Sequence, residues 1–180
     1  GGVAVQVDAS SAFDLVRWDF IHIVLEEMGF PEEFRSLMKT MYSDLTFQVK
    51  VNGEVGEVVQ AKNGVRQGCG ASPLIFILCQ EAMLAMVRQD SELKGLEYTE
   101  RGQIRELRER GMADDTTVFL AGEEHVERLF DVLRTYGKAS GQKINKTKSV
   151  IIRMGTERSR GEEAHGEDGE EGAGGEMRGI

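Results

Sequence analysis

One stretch of the sequence decides the fold class: Val3-Ala4-Val5-Gln6-Val7-Asp8-Ala9-Ser10-Ser11-Ala12-Phe13-Asp14. Its valines alternate up to Asp8, which is the pattern of a strand with one buried face. Far downstream, Asp114 and Asp115 precede a β-branched and aromatic run at 116–120 that predicts another strand. The sequence therefore places three carboxylates at strand ends.

These three aspartates need a compensating charge. Adjacent carboxylates repel each other, and a divalent cation is the usual compensation in two-metal phosphoryl transfer, which needs ions held about 3.5–4 Å apart. Mg²⁺ suits such a site, because it takes one or two carboxylates together with substrate phosphates. Taken alone, an Asp-Asp pair is more often a solvated turn, since Asp favours turns.

The rest of the chain alternates between helical and strand patterns. Apolar residues recur at helical spacing in four segments: 18–28, a segment that begins at Pro31, 72–89 and 123–139. Strand patterns occupy 46–51, 56–61 and 148–154, and Asn52-Gly53 between the first two predicts a hairpin. Residues 90–111 are charged and show no clear pattern. This order predicts an α+β or α/β fold.

The negative charge is concentrated in the last residues of the chain. The whole sequence of 180 residues has a net charge of −9, and residues 155–180, with eight acids and three bases, account for −5 of it. The remainder is mildly acidic and is compatible with nucleic-acid binding if basic residues cluster locally, but it shows no broad basic patch of a self-sufficient binder. Glycine and glutamate dominate residues 155–180, so we predict a disordered tail after a single domain at 1–154.

Cysteine usage and the ends of the chain give weaker indications. Cys69 and Cys79 form no CxxC pair, which argues against a zinc site or a disulfide framework. A reducing, intracellular setting, nuclear or cytoplasmic, is therefore expected. No stretch approaches the roughly 20 apolar residues of a membrane span. The chain starts at Gly1 as though inside a strand, so we expect a fragment of a longer protein.

Four motifs carry a resemblance to a known family. They are Val7-Asp8-Ala9-Ser10-Ser11-Ala12-Phe13-Asp14, then Gly64-Val65-Arg66-Gln67-Gly68-Cys69 followed by Ser72-Pro73-Leu74, then Ala113-Asp114-Asp115, and finally Ala139-Ser140-Gly141-Gln142-Lys143-Ile144-Asn145 with Lys148-Ser149. In this order the motifs resemble those of reverse transcriptase domains, especially of the non-LTR (LINE-type) retrotransposons. The resemblance covers residues 3–154.

The resemblance implies a fold and an activity. The fold is an α+β palm, with an antiparallel sheet packed on helices, partial fingers and no thumb. The activity is that of an RNA-directed DNA polymerase, whose partners are an RNA template, a DNA primer and deoxynucleoside triphosphates, with no membrane. Flanking fingers, thumb or endonuclease domains would be missing from this chain.

The resemblance also implies the residues of the metal site. Asp8 and Asp114 would bind two Mg²⁺ ions, with Mn²⁺ as an alternative, and Asp115 would complete the cluster. Lys148 would stabilise the leaving pyrophosphate or donate a proton to it, since a positive group there offsets developing charge. The alternative for Lys148 is a surface lysine ahead of a strand.

The remaining roles concern the nucleotide and the template. The family pattern assigns nucleotide binding to Ala9, Phe13, Gln67 and Gly68, with Phe13 under the sugar, and template contacts to Arg66, Ser72 and Pro73. The alternatives are a core phenylalanine, an ordinary glycine loop and a solvated arginine.

The chain departs from the family pattern at several positions. Ser11, Gly70 and Met112 replace a lysine, a proline and an aromatic residue. More seriously, residues 105–111 are heavily charged where the family has an apolar strand, and burying unpaired ions costs several kcal/mol each. Either this arm lies at a solvent-facing edge or the copy has decayed. The competing functions are a catalytically silent reverse-transcriptase-like domain that only binds nucleic acid or protein, and an unrelated α/β phosphotransfer domain.

Overall fold

The computed structural model describes residues 1–10, 12–112, 115–144, 148–155 and 177–179, with side chains for all of these except 9, 10, 12, 112 and 177–179. Its elements, in chain order, are β1 (Gly2–Val7), β2 (Ala9–Ser10), α1 (Ala12–Leu15), α2 (Trp18–Glu27), α3 (Glu32–Met41), β3 (Thr46–Val51), β4 (Glu54–Gln60), α4 (Ser72–Gln89), β5 (Leu96–Glu100), β6 (Gln103–Leu107), β7 (Glu109–Met112), β8 (Asp115–Leu120), a 3₁₀ turn (Glu123–His125), α5 (Val126–Ser140), β9 (Lys143–Ile144), β10 (Val150–Met154) and β11 (Met177–Gly179). None of the helices described has the length and apolar character of a membrane span.

The first of two compact units comprises Gly1–Asp8, Val87–Asp131 and Asn145–Ile180. Its centre is an antiparallel sheet with the strand order β11-β10-β1-β8-β7. In β1, Val3, Val5 and Val7 are almost fully buried, as the alternation predicted. On one side β1 pairs with β8, and on the other side it pairs with β10. The strand that leads to Asp8 is therefore in the middle of the sheet.

The charged residues 105–111 lie in two strands. One part belongs to β6, which forms a hairpin with β5, and the other forms β7 at the edge of the five-stranded sheet. The charges are paired: Arg108 Nε lies 2.9 Å from Glu106 Oε1, and Arg88 Nη1 lies 2.8 Å from Glu109 Oε1. Because an edge position and ion pairing both spare the charges from isolated burial, this stretch no longer requires a decayed copy.

The second unit comprises Ala9–Met86 and Val132–Ile144, and it contains most of the helical structure. The helices predicted from apolar periodicity are present as α2, α3, α4 and α5, whereas the short α1 was not predicted. In α2, Phe20, Ile21, Val24 and Leu25 are buried, and the Phe20 ring meets the Tyr136 ring edge-on, with centroids 5.6 Å apart. Apolar packing of these faces forms the core of the unit.

The hairpin predicted at Asn52-Gly53 is also present. Asn52 and Gly53 have φ values of 48° and 90°, the left-handed conformation that a tight hairpin turn requires. The return strand begins at Glu54, two residues before the predicted start. Every residue of β3 and β4 is exposed, including large apolar side chains at Phe47, Val49, Val51, Val55, Val58 and Val59.

Three residues of the predicted disordered tail lie beside the sheet. Met177–Gly179 form β11, which pairs antiparallel with β10. A backbone ladder needs no apolar side chains, and the outer edge of β10 supplies the necessary donors and acceptors. Residues 156–176 and 180 lie outside the described residues, and for them disorder stays a prediction.

Candidate active site

Two of the predicted catalytic carboxylates lie at the same end of neighbouring strands. Asp8 directly follows Val7, Asp115 directly precedes Thr116, and Val7 and Thr116 are antiparallel partners. Asp8 is half-buried and Asp115 is exposed. Both aspartates therefore lie next to this last residue pair of the two strands.

Asp114 lies outside the described residues. Of the described residues nearest to it in sequence, Met112 in β7 pairs with Asp115 in β8. Only two residues, of which Asp114 is the second, join those strands. Within the described part of the chain, no group of three or more His, Cys, Asp or Glu side chains could hold a metal ion.

The segment that contains the predicted lysine lies on the other side of β1. Gln6 pairs with Val150, and the Asp8 backbone N–H donates to Ser149 Oγ at 3.3 Å. Ser149 is fully buried, while Lys148 before it is exposed. Sequence reasoning quoted Ser149 only as part of a motif and missed this contact. Asp8 thus stands between the strand of Asp115 and the segment of Lys148.

The donor set at this end of the sheet fits a hard divalent cation. Asp8 and Asp115 offer carboxylate oxygens, the ligands that Mg²⁺ and Mn²⁺ take in proteins. The exposure of Asp115 leaves room for an anionic substrate. A lysine close to such a site adds the positive charge that a phosphate or pyrophosphate group needs.

The second unit contains the residues assigned to the nucleotide. Phe13 is half-buried and stacks on Phe76, with ring centroids 4.2 Å apart and planes inclined by 19°. Phe76 itself is fully buried in α4. Phe13 therefore has one face fixed by the core and remains partly accessible, which is compatible with either of its predicted roles. The side chain of Ala9 lies outside those described.

The glycine-rich loop is fastened along the backbone that follows Phe13. Val65 N–H donates to Phe13 O at 2.8 Å, and Gly64 N–H donates to Val16 O at 2.7 Å. Gly64 has a φ of +89°, and a Cβ there would lie 2.8 Å from Asp14 O. Only glycine accommodates both the left-handed backbone and this close approach.

The predicted contact residues of the loop differ in exposure. Arg66, Gln67 and Gly68 are exposed, and the Gln67 amide donates from Nε2 to Asp14 Oδ1 at 3.2 Å. Asp14 was not predicted as a site residue, because the two positions are 53 residues apart. The roles of Arg66, Gln67 and Gly68 stay predictions.

The start of α4 carries the predicted template residues. Ser72 is only 2% exposed, and its hydroxyl lies 3.4 Å from Tyr42 Oη, so its side chain has a partner within the protein. Pro73 is exposed. Hydrogen bonds from the Ala71 backbone and from Ser72 lower the pKa of the half-exposed Cys69. A template contact by Ser72 or Pro73 stays a prediction.

The fourth motif runs beside the first. β9 pairs with β2, so that Ala9 faces Ile144 and Ser10 faces Lys143. Further along, Arg17 N–H donates to Ser140 O at 2.8 Å. The segment that follows Asp8 is therefore held on one side by the glycine-rich loop and on the other by the fourth motif.

A buried hydroxyl anchors this fourth motif. Tyr136 is 1% exposed, and its Oη lies 2.5 Å from Gln142 Oε1, 3.1 Å from Cys79 O and 3.2 Å from Gln80 Oε1. Burial raises the pKa of the Tyr136 phenol, which keeps it protonated. The residues involved are spread over two helices and a loop, so periodicity alone could not have revealed the network.

Comparison with known proteins identifies the family. A family model described as reverse transcriptase (RNA-dependent DNA polymerase) matches residues 2–166. The chain belongs to the reverse transcriptase family. The resemblance predicted from the four motifs is confirmed, including its LINE-type character, because the similar proteins are products of such elements.

Two curated relatives of this reverse transcriptase domain come from transposable elements. One is the Transposon TX1 uncharacterized 149 kDa protein of Xenopus laevis, 30% identical over 152 residues. The other is the retrovirus-related Pol polyprotein from type-1 retrotransposable element R2 of Popillia japonica, 23% identical. Each match covers 84% of the chain but only 11% and 24% of the respective relative, so the chain spans a minor part of those proteins.

Solved structures confirm the fold of the reverse transcriptase domain. The match to a telomerase from Candida albicans covers 87% of this chain and 27% of the telomerase chain, with a TM-score of 0.59 and 14% identity. The match to a telomerase from Candida tropicalis covers 84% of this chain and 26% of the telomerase chain, with a TM-score of 0.60 and 13% identity. The α+β class with antiparallel sheets and helices is thereby confirmed.

Proposed function

We propose that this reverse transcriptase domain is the catalytic palm of an RNA-directed DNA polymerase that joins a deoxynucleotide to a primer 3′ end on an RNA template. The observation that supports the proposal is the pairing of Val7 with Thr116, because Asp8 directly follows Val7 and Asp115 directly precedes Thr116 at that end of the sheet. Family membership supports the class of reaction. The activity and partners of any longer protein are part of the same proposal.

In this mechanism the chain's own residues bind and orient. Two divalent ions, Mg²⁺ or Mn²⁺, would be held by Asp8, Asp114 and Asp115, and when bound they supply charge stabilisation for phosphoryl transfer. Lys148 would neutralise charge on the leaving pyrophosphate; it is exposed and directly precedes Ser149, whose hydroxyl contacts the Asp8 backbone. The buried Ser149 hydroxyl accepts the Asp8 backbone N–H and so fixes the backbone that carries this carboxylate.

The nucleotide would be positioned by the second unit. Phe13, backed by Phe76, would offer a rigid aromatic face to the sugar, and Ala9, Gln67 and Gly68 would contact the nucleotide. Arg66, Ser72 and Pro73 would lie along the template. A nuclear or cytoplasmic location accords with such a role.

Metal binding by the wild-type chain tests the site directly. Titration with Mn²⁺, followed by electron paramagnetic resonance, should show saturable binding that weakens about tenfold or more in Asp8→Asn and Asp114→Asn. Glu97→Gln is the matched control, because Glu97 is an exposed acid on β5 of the same unit. Affinity that is equal in all four proteins would refute the carboxylate assignment.

Primer extension tests the reaction. Extension of oligo(dT) on poly(rA) should require Mg²⁺ and should vanish in Asp114→Ala. Activity that survives this substitution would refute the mechanism. Specific Mn²⁺ binding with no extension would favour the alternative, a catalytically silent reverse-transcriptase-like domain that binds nucleic acid or protein.

A further inference from the structure

The contact between Gln67 and Asp14 limits what the Gln67 side chain can offer to a ligand. An ionised carboxylate can only accept hydrogen bonds, so the half of the amide that faces Asp14 must be the NH₂ group. In the structure Gln67 Nε2 indeed donates to Asp14 Oδ1 at 3.2 Å. The amide carbonyl oxygen, Oε1, then points away from Asp14. Asp14 thus determines which polar atom of Gln67 is left free.

The backbone brings the two residues together by several fixed contacts. Arg17 and Asn63 form an antiparallel bridge, and Gly64 packs so tightly against the Asp14 backbone that a Cβ would not fit. These contacts hold the start of the loop along the segment after Phe13. Gln67 lies three residues after Gly64 and directly before Gly68, which has a left-handed φ. The Gln67 side chain therefore lies within reach of Asp14.

The hydrogen bond between Gln67 and Asp14 contributes little to the stability of the fold. Both side chains are exposed, and exposed polar pairs contribute about 0–1 kcal/mol to stability or nothing measurable. Its lasting effect is on orientation, because a free glutamine side chain on the surface samples many rotamers. An exposed glutamine whose amide is biased toward one orientation loses less entropy when it binds a ligand.

We propose that Asp14 is a positioning residue that holds Gln67 with its carbonyl oxygen presented to a hydrogen-bond donor of the bound nucleotide. This inference rests on the proposed function, since it requires the loop to bind a nucleotide. It adds a residue with no assigned role and specifies an acceptor, rather than a donor, at Gln67. Asp14 acts through Gln67 and makes no contact with the nucleotide itself.

A polarity swap tests the inference. Asp14→Asn removes the charge that selects the NH₂ group, and Gln67→Glu places two carboxylates against each other. In the double variant D14N/Q67E the introduced amide can donate to the introduced carboxylate, whose second oxygen again faces outward as an acceptor. Asp44→Asn is the matched control: Asp44 is an exposed aspartate of the same unit, and its φ of 52° is one that asparagine tolerates.

Two measurements are made on the whole chain. Side-chain amide resonances of Gln67 in ¹H–¹⁵N spectra report the contact, and they should move to the values of a free glutamine in Asp14→Ala, which leaves no acceptor, but not in the control. Binding of dTTP in Mg²⁺ buffer is followed by the fluorescence of Trp18, the single tryptophan, whose Nε1 donates to Gly64 O at 2.9 Å. Each single variant should weaken binding about three- to tenfold, as expected for one hydrogen bond.

The double variant should bind dTTP within about twofold of the wild type, a rescue that loss of folding would not produce. Amide resonances that stay unchanged in Asp14→Ala would overturn the inference alone. Resonances that move while dTTP affinity stays equal in all variants would also overturn it. A wild-type chain that shows the contact but binds no dTTP would overturn the proposed nucleotide role of the loop, and this inference with it.

Discussion

Removal of one buried hydroxyl should measurably destabilise the domain. Tyr136→Phe keeps the ring and its edge-on contact with Phe20 but deletes Oη. That oxygen lies within 3.2 Å of three acceptors, among them the side-chain oxygens of Gln80 and Gln142, which are 5% and 3% exposed. The substitution therefore takes a donor from a buried polar cluster without altering the apolar packing.

The size of the effect follows from this environment. A typical hydrogen bond contributes about 0.5–1.5 kcal/mol net, but leaving a buried partner short of a donor costs about 1–3 kcal/mol. We expect a loss of about 2 kcal/mol in the free energy of unfolding. For a chain of this length, that corresponds to a fall of roughly 4–8 °C in Tm.

Urea denaturation followed by circular dichroism and Trp18 fluorescence provides the measurement. Tyr98→Phe is the matched control, because Tyr98 is 40% exposed on β5 and its variant should stay within about 0.5 kcal/mol of the wild type. If Tyr136→Phe were as stable as that control, the buried network would not be the anchor of the fourth motif.

Three further predictions concern thiols, glycines and acid. At about pH 8 iodoacetamide should label Cys69 and spare Cys79, because burial raises the pKa of the Cys79 thiol to about 12; two adducts by mass spectrometry before denaturation would contradict this. Gly68→Ala should lower the free energy of unfolding by about 1–2 kcal/mol, because Gly68 has a left-handed φ. Gly64→Ala should lower it further, because the added Cβ would also clash with the Asp14 backbone. Equal urea midpoints for the two variants would contradict this prediction. A hydrogen bond from Arg128 lowers the pKa of Asp90, so the ionised carboxylate contributes its full stabilisation above about pH 4 and loses it as the pH falls. Asp90→Asn should therefore reduce the loss of stability between neutral and acidic pH. An unchanged dependence of stability on acidic pH would contradict this prediction.

Local rules predicted much of the fold correctly. Gly53 has a positive φ value at the hairpin turn that the sequence predicted. The hairpin of β5 and β6 was missed. It turns at Arg101-Gly102 and exposes Ile104 by 74%, so neither strand has the contrast between apolar and polar positions on which recognition depends.

The candidate site was predicted in part. The motifs led to the expectation that Asp8 and Asp114 lie close together; this stays a prediction because Asp114 lies outside the described residues, although β1 and β8, which adjoin Asp8 and Asp115, are paired. Asp14 and Ser149 could not be assigned a contact, because their partners lie 53 and 141 residues away in sequence. Such contacts depend on how distant segments approach each other, which no local pattern encodes.

The charged edge strand β7 has a consequence for how copies of this domain meet one another in solution. Among the residues described, no further strand covers its outer side, and an uncovered strand offers its free N–H and C=O groups to any extended chain. Glu109 and Arg110 disfavour such pairing, because the approach of a second chain would desolvate their charges. The residues that look least like a sheet strand thus keep the sheet from growing across molecules into fibrils.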